Sequence, residues 1–286
     1  MTGQGRPRLA VLGSPIAHSQ SPALHAAAYR VLGFDAEYSS AEVPSGGLQA
    51  FVDTLSPDWR GLSLTMPLKE AVLPLLDSAD RLSTLARSAN TVLFTDDAGR
   101  RRIDGFNTDV AGIVNALADG GVRNAQEVLL LGAGATARSA VVAAASLGAQ
   151  HITIAVRNAA RAESVARTAD ESGVATTIIP LSEGLARTSA AVAISTLPGG
   201  ALTSVDVAAV MPAAGSVLLD VAYAPWPSLL GQQWAADGGE VVSGLRMLVH
   251  QALAQVRIFI GGDPELVLEN EPAVLAAMFE AVGLPA

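Results

Sequence analysis

The 286-residue sequence predicts an α/β protein of two domains. Half of the residues are hydrophobic and only 4% are aromatic, a balance typical of small aliphatic side chains that pack helices onto sheets. Strand patterns alternate with helical patterns over most of the chain, and a glycine-rich turn at 132–134 joins an apolar strand pattern to a helical one. A chain of this length suits two compact domains better than one.

The first predicted domain covers residues 1–108 and alternates strands with helices. Its first strand leads to a helix that begins at Ser21 and ends at Gly33. We expect Ser21 to be the N-cap, because its hydroxyl can accept from free N–H groups and Pro22 suits a first helical turn. The other patterns predict strands at 9–12, 36–43 and 61–65, a helix at 67–76 and a hairpin over 91–103.

The second predicted domain covers residues 109–244. The apolar run at 127–131 has the length of a strand that is buried on both faces, which is typical of a parallel sheet. Helical patterns alternate with further strands, expected at 152–156, 174–179, 191–195, 217–221 and 241–242. This alternation predicts a doubly wound, Rossmann-like sheet.

Residues 245–286 carry helical patterns only, through Leu248, Leu253, Val256 and Phe259 and again over 272–282. No strand pattern accompanies these helices, and the first domain is short of helices to cover its sheet. We therefore expect the C-terminal helices to pack back on the first domain and to complete it.

Composition excludes several classes of function. A net charge of −9 without a long basic run argues against a nucleic-acid binder. The chain has no cysteine, and its four histidines lack the spacing of metal ligands, so we expect no metal site. The N-terminus has too short an apolar run for a signal peptide, and no stretch stays apolar for the roughly 20 residues of a membrane span. We expect a soluble cytoplasmic protein.

The turn from Gly132 to Ala137 has the G-x-G-x-x-A pattern of a dinucleotide-binding loop. In such a loop Gly132 permits the tight bend and Gly134 lets a pyrophosphate approach the backbone, while N–H groups at the helix start bind phosphates. Ordinary strand-to-helix turns also use glycine, so the surrounding βαβ pattern supports the prediction. The residues predicted to bind the cofactor here are Gly132, Ala133, Gly134, Ala135 and Thr136.

The end of the following strand favours NADP over NAD. An acidic residue there would hold the ribose 2′-hydroxyl of NAD, but the sequence has Arg157 and no carboxylate beside it. Arg157 can pair with a 2′-phosphate and stack on adenine, and Arg161 lies one helical turn further on as a second cation. The alternative is that Arg157 is an ordinary surface arginine.

Two charged residues are candidates for catalysis. Lys69 lies in the first turn of a predicted helix, where the positive end of the helix dipole disfavours a cation, and this unusual place suits a lysine that exchanges protons. Asp109 follows Thr108 at the start of another helix, where a carboxylate is favoured. Its position alone therefore also fits an ordinary first-turn acid.

Two pairs of hydroxyl groups accompany these residues. Ser19 and Ser21 straddle the start of the first helix, where hydroxyls and free N–H groups can hold a carboxylate. Ser63 and Thr65 point to the same face of one strand and precede the loop of Lys69. Open α/β sheets bind ligands at such strand ends.

Further motifs follow in order along the chain. They are Ser19-Gln20-Ser21, the run from Ser63 to Lys69, Ser88-Ala89-Asn90-Thr91, Phe106-Asn107-Thr108-Asp109, the loop from Gly132 to Thr136, Arg157 with Arg161, Asp220-Val221-Ala222-Tyr223-Ala224-Pro225, and the run from Gly244 to Gln251. By these motifs and their order, the sequence resembles the shikimate dehydrogenase family over nearly its whole length.

The resemblance implies an NADP-dependent alcohol dehydrogenase that interconverts 3-dehydroshikimate and shikimate in the biosynthesis of chorismate and the aromatic amino acids. It implies that Lys69 donates a proton to the substrate oxygen and that Asp109 orients Lys69. It assigns Asn158 to the cofactor beside Arg157, and Val221 and Gly244 to its nicotinamide end. The residues that it assigns to shikimate are Ser19, Ser21, Ser63, Thr65, Asn90, Tyr223 and Gln251.

Two departures from the family pattern bear on these roles. Ser63 stands where many members have asparagine, which replaces a long amide contact by a shorter one or by water. Val156 and Asn158 stand in place of an asparagine and a threonine in the cofactor element. Three alternatives stay open: an NAD-using quinate or quinate/shikimate dehydrogenase, an enzyme acting on an aminated shikimate analogue, and a non-catalytic NADP-binding regulator. The sequence also leaves open whether the protein is a monomer or a homodimer.

Overall fold

The structure, a computed structural model, describes residues 5–186, 190–208 and 210–285. These residues form two compact units, the first from the described part of 1–108 with 249–286 and the second from that of 109–248. The first four residues and the last residue of the predicted first domain lie outside the described residues. No helix in the described ranges is both long and apolar enough to cross a membrane.

Each unit contains one six-stranded sheet. The strands are β1 (Arg8–Gly13), β2 (Glu37–Glu42), β3 (Trp59–Leu64), β4 (Ser78–Ala79), β5 (Thr91–Asp97) and β6 (Arg100–Phe106) in the first unit, and β7 (Glu127–Leu131), β8 (His151–Val156), β9 (Ala175–Pro180), β10 (Val192–Ser195), β11 (Val217–Asp220) and β12 (Glu240–Ser243) in the second.

Helices connect these strands and follow the last of them. They are α1 (Ser21–Leu32), α2 (Leu48–Asp53), α3 (Leu68–Ala71), α4 (Arg81–Ala86), α5 (Asp109–Asp119), α6 (Ala135–Ser146), α7 (Ala159–Glu171), α8 (Leu181–Ala186), α9 (Ser204–Val207), α10 (Leu229–Ala236), α11 (Gly244–Gly261) and α12 (Glu271–Ala281).

The sheet of the first unit is mixed, with the order β2-β1-β3-β5-β6-β4. Strand β1 pairs in parallel with β2 and β3, whereas β5 is antiparallel to both β3 and β6. The predicted hairpin is confirmed as β5–β6, in which Asp97 pairs with Arg100. Its two turn residues, Ala98 and Gly99, have φ values of 55° and 86°, because a two-residue hairpin turn that matches the strand twist needs positive φ at both positions.

Helix α12 and most of α11 belong to the first unit, as predicted, but the start of α11 up to residue 248 belongs to the second unit. Helix α12 packs along α1, and Phe259 of α11 is fully buried against Gly61 of β3. A Cβ atom at Gly61 would overlap the Phe259 ring, so a glycine in the strand lets the helix approach the sheet closely.

The second unit confirms the predicted doubly wound sheet. Its strands are all parallel in the order β12-β11-β10-β7-β8-β9, which is the Rossmann order. The strand order reverses between β7 and β10, and the carboxyl ends of these two neighbours therefore flank the crevice where such sheets bind ligands.

Two local predictions are wrong. The helix expected at 67–76 ends at Ala71 and is followed by a 3₁₀ turn over Leu73–Leu75, because Pro74 has no N–H group to continue an α-helix. Ser21 is the first helical residue of α1 and not its N-cap; the N-cap is Gln20, whose side chain makes no capping hydrogen bond.

Candidate functional site

Asn90, which precedes β5, is the centre of a polar cluster in the first unit. Its side chain is 2% exposed. Its Oδ1 atom accepts from the backbone N–H of Thr108 at 2.8 Å and from the hydroxyl of Thr91 at 2.9 Å. Its Nδ2 atom donates to Thr108 Oγ1 at 2.9 Å and to Gln251 Oε1 at 3.2 Å. The bond from a backbone N–H fixes which end of the Asn90 amide carries the oxygen.

Gln255 of α11 joins this cluster to Ser63 of β3. Its Nε2 atom donates to the carbonyl oxygen of Asn90 at 3.2 Å and to Thr91 Oγ1 at 3.0 Å. Its Oε1 atom accepts from the Ser63 hydroxyl at 2.8 Å, and Ser63 Oγ in turn accepts from the Tyr38 hydroxyl at 2.8 Å. We call Tyr38, Ser63, Gln255, Asn90 and Gln251 the buried polar network.

His25 of α1 lies beneath this network and is fully buried. Its ring stacks on Tyr38 with centroids 3.9 Å apart, and its Nε2 atom lies 3.2 Å from Gln255 Oε1. Burial lowers the pKa of His25 to about 3, so the ring is neutral at pH 7. Because Gln255 Oε1 can only accept, Nε2 carries the proton and Nδ1 accepts from the Tyr29 hydroxyl at 3.1 Å.

Ser19 and Ser21 are the predicted serine pair at the start of α1. Ser19 Oγ accepts from the backbone N–H of Ser21 at 3.3 Å, so the serine before the helix holds its first free N–H group. Ser21 is 5% exposed. Burial raises the pKa of Tyr38, and the neighbouring hydroxyls of Ser63 and Ser21 act in the opposite direction. Thr65 follows β3 directly and is partly exposed.

Lys69 is partly buried in α3, which has only four residues. So short a helix aligns few peptide dipoles, and the expected conflict between Lys69 and a helix dipole therefore loses most of its basis. Composition singles out Lys69 more clearly than its place in a helix does. The chain contains 17 arginines and one lysine, and Lys69 is that lysine. An arginine does not release its proton near neutral pH, so among the lysine and arginine side chains only Lys69 can exchange one.

Asp109 and Tyr223 belong to the second unit. Asp109 begins α5 and is 3% exposed, which distinguishes it from an ordinary first-turn acid on a helix surface. Tyr223 is partly buried, and this burial raises its pKa. The segment that carries Tyr223 is held by the buried Asp220, which accepts from the Ala222 N–H at 3.2 Å and from the Ser228 hydroxyl at 2.5 Å.

The glycine loop after β7 has the geometry of a phosphate site. Gly132 has a φ of +113°, and a Cβ atom there would overlap Thr196 Oγ1, so only glycine fits. Gly134 is the N-cap of α6, without a side-chain capping bond, and a Cβ placed on it would meet no atom within 4 Å apart from its own neighbours in the chain. The space beside Gly134 at the start of α6 is therefore open, as a pyrophosphate bound by the first N–H groups of a helix needs.

The residues after β8 are exposed on the second unit. Arg157 donates to the carbonyl oxygen of Ala201, and Asn158 Oδ1 caps α7 by accepting from the Ala160 N–H at 3.0 Å. Bonds from Thr203 lower the pKa of the exposed Asp206, and the positive charge of Arg157 contributes to this shift.

Val221 and Gly244 meet at the ends of β11 and β12. A Cβ atom at Gly244 would overlap the backbone of Val221, so the start of α11 approaches β11 more closely than any other residue would permit. These two residues, predicted for the nicotinamide end, are therefore brought together within the second unit.

Two protein-family models match the chain, one in each unit. Residues 11–92 match the family model described as shikimate dehydrogenase substrate binding domain, and residues 116–223 match that of shikimate / quinate 5-dehydrogenase. The chain is 35% identical to shikimate dehydrogenase (NADP(+)) of Methanothermobacter thermautotrophicus over 91% of its own length and 93% of that protein's. The chain belongs to the shikimate dehydrogenase family.

Solved structures of the family have the same fold. The chain is similar to shikimate dehydrogenase of Mycobacterium tuberculosis, with 38% identity and a TM-score of 0.80 over 96% of this chain and 99% of that one. The structure of the Thermus thermophilus family member in complex with NADP(H) and shikimate matches with 30% identity and a TM-score of 0.79, over 96% and 99% of the two chains.

The open space at Gly134 predicts a variant that folds but loses the cofactor. Gly134→Val places a side chain where nothing in the protein contacts it, so we expect the unfolding free energy to change by less than about 0.5 kcal/mol. The same side chain would exclude a pyrophosphate, and we expect the Kd for NADPH, measured by fluorescence titration, to rise by about tenfold or more.

Gly46→Val is the matched control, because Gly46 also has no atom within 4 Å of a Cβ and no positive φ. This variant should leave both quantities unchanged. A Gly134→Val protein that binds NADPH as tightly as the unsubstituted protein would contradict the assignment.

Proposed function

We propose that the protein is an NADP-dependent shikimate dehydrogenase that reversibly reduces 3-dehydroshikimate to shikimate. The observation that carries the proposal is the buried polar network, which ties Ser63, Asn90 and Gln251 together in the unit that matches the family's substrate-binding domain. Fixed amide and hydroxyl groups of this kind suit a small ligand with several hydroxyls.

The predicted substrate residues form two groups, one for the substrate carboxylate and one for its ring hydroxyls. Ser19 and Ser21, at the start of α1, would hold the substrate carboxylate with hydroxyl and backbone N–H groups. The ring hydroxyls would contact the polar side chains at the ends of β3, β5 and α11 and in the loop after β11. These side chains are Ser63, Thr65, Asn90, Gln251 and Tyr223.

Lys69 would act as the general acid in the reductive direction. It would donate a proton to the carbonyl oxygen of 3-dehydroshikimate and stabilise the negative charge that develops there. Asp109, a buried carboxylate, would orient the Lys69 ammonium and balance its charge. In the oxidative direction Lys69 would accept the proton of the substrate hydroxyl.

The cofactor would bind the second unit at the reversal of strand order. When bound, NADPH supplies the hydride for the substrate carbonyl carbon. The glycine loop and the start of α6 would hold the pyrophosphate, Val221 and Gly244 would line the nicotinamide end, and the 2′-phosphate would lie against the polar residues after β8. Those residues are Arg157, Asn158 and Arg161.

Quinate is the second candidate substrate, because the family model that matches residues 116–223 covers quinate dehydrogenases as well. The partners that the proposal requires are two small molecules. We further propose that the enzyme works in the cytoplasm, as a monomer or a homodimer.

Substitution of the single lysine tests the proton-transfer role. Lys69→Ala should lower kcat by about 10²-fold to 10⁴-fold, because the developing charge loses its proton donor, while shikimate still binds. Lys69→Arg keeps the positive charge but holds its proton too tightly, so it should not restore turnover. Steady-state kinetics together with calorimetric binding of shikimate provide the measurement. Turnover near that of the unsubstituted protein in either variant would exclude Lys69 as the acid.

Substitution of Arg157 tests the 2′-phosphate assignment. Arg157→Ala should raise KM for NADP by about tenfold to a hundredfold, the loss expected for a charge-assisted hydrogen bond, and should change KM for NAD by less than about twofold. Arg167→Ala, which removes an equal charge from the exposed face of the same α7, is the control and should change neither value. Equal effects of Arg157→Ala on both cofactors would contradict the assignment.

A further inference from the structure

Tyr38 of β2 contacts a predicted substrate residue of another element. Its hydroxyl donates to Ser63 Oγ of β3 at 2.8 Å. We expect Ser63 to contact a ring hydroxyl of the substrate. No motif contains Tyr38, so the sequence alone does not relate it to Ser63.

The donor and the acceptor of each hydrogen bond around Ser63 follow from a neighbouring carbonyl oxygen that can only accept. The carbonyl oxygen of Asn90 can only accept, so the Gln255 amide places Nε2 towards it and Oε1 towards Ser63. Ser63 therefore donates its one hydroxyl proton to Gln255 Oε1. The remaining bond, between Tyr38 and Ser63, then requires that Tyr38 donate and Ser63 accept.

Ser63 is thereby held from both sides. It is 3% exposed, its proton is directed to Gln255, and one of its lone pairs is directed to Tyr38. Removal of the Tyr38 hydroxyl would leave a buried Ser63 lone pair without its donor and would loosen the orientation of the Ser63 side chain. The ring of Tyr38 is itself fixed by its stack on His25, so its hydroxyl is a rigid reference point.

We propose that Tyr38 is a positioning residue for the substrate site, which holds Ser63 in the orientation that shikimate requires. The inference rests on the proposed function. Tyr38 acts on substrate affinity through Ser63 and takes no part in proton or hydride transfer.

The chain provides a matched control in Tyr29. Its hydroxyl hydrogen-bonds to His25 Nδ1 at 3.1 Å, and in the described parts of α1 and β3 it makes no hydrogen bond to Ser63. Tyr29→Phe and Tyr38→Phe therefore each remove one hydroxyl from a ring that packs on His25, and both should lower the denaturation midpoint by similar amounts. Only Tyr38→Phe should affect the substrate.

The test is the kinetics of both variants together with calorimetric titration of shikimate. Tyr38→Phe should raise KM and Kd for shikimate by about fivefold, the loss expected for one net hydrogen bond, with kcat within about twofold and KM for NADP unchanged. Tyr29→Phe should change none of these values by more than about twofold. Equal increases in both variants, or no increase in Tyr38→Phe, would overturn the inference.

A double-variant comparison tests the route through Ser63. If Tyr38 acts through Ser63, the increase in KM for Tyr38→Phe with Ser63→Ala should be smaller than the product of the two single increases. An increase equal to that product would overturn this route. Failure of the unsubstituted protein to oxidise shikimate would reject the proposed function instead, and failure to bind shikimate as well would reject both.

Discussion

The buried amide of Asn90 imposes the constraint on which the first unit depends. An amide that is 2% exposed must find its hydrogen-bond partners inside the protein, because an unpaired polar group there costs about 1–3 kcal/mol. Thr108, Thr91 and Gln251 provide these partners, so the segment after β6, the start of β5 and helix α11 meet at one side chain. A network in which backbone groups fix each amide is rigid, and rigidity is what a site for a small polyol requires.

Local patterns allowed much of the fold to be predicted from the sequence. Apolar strand patterns that alternate with helical patterns predicted the doubly wound sheet. The helical patterns after Gly244, which no strand pattern accompanies, predicted that the chain returns to the first unit. The glycine loop is equally local, because the bend at Gly132 depends on residues next to it in sequence. Helices such as α2, α4 and α9 are too short to show a helical period, which is why the pattern missed them.

The rest of the candidate site depends on neighbours that are distant in sequence. His25 and Gln255 are 230 positions apart, and no spacing rule relates them. The argument from the Lys69 helix dipole lost its basis because Pro74 keeps that helix to four residues. The sequence predicted which residue types gather at the strand ends. It could not predict which of them hold one another in place.

Initial rates for shikimate and quinate, each with NADP and with NAD, test the central claim most directly. The account predicts the highest kcat/KM for shikimate with NADP, since Arg157 offers a cation to the 2′-phosphate and the motifs of the first unit are those of the shikimate dehydrogenase family. A higher kcat/KM with NAD for both substrates would contradict the cofactor assignment. The absence of turnover with shikimate under either cofactor would contradict the proposed function itself.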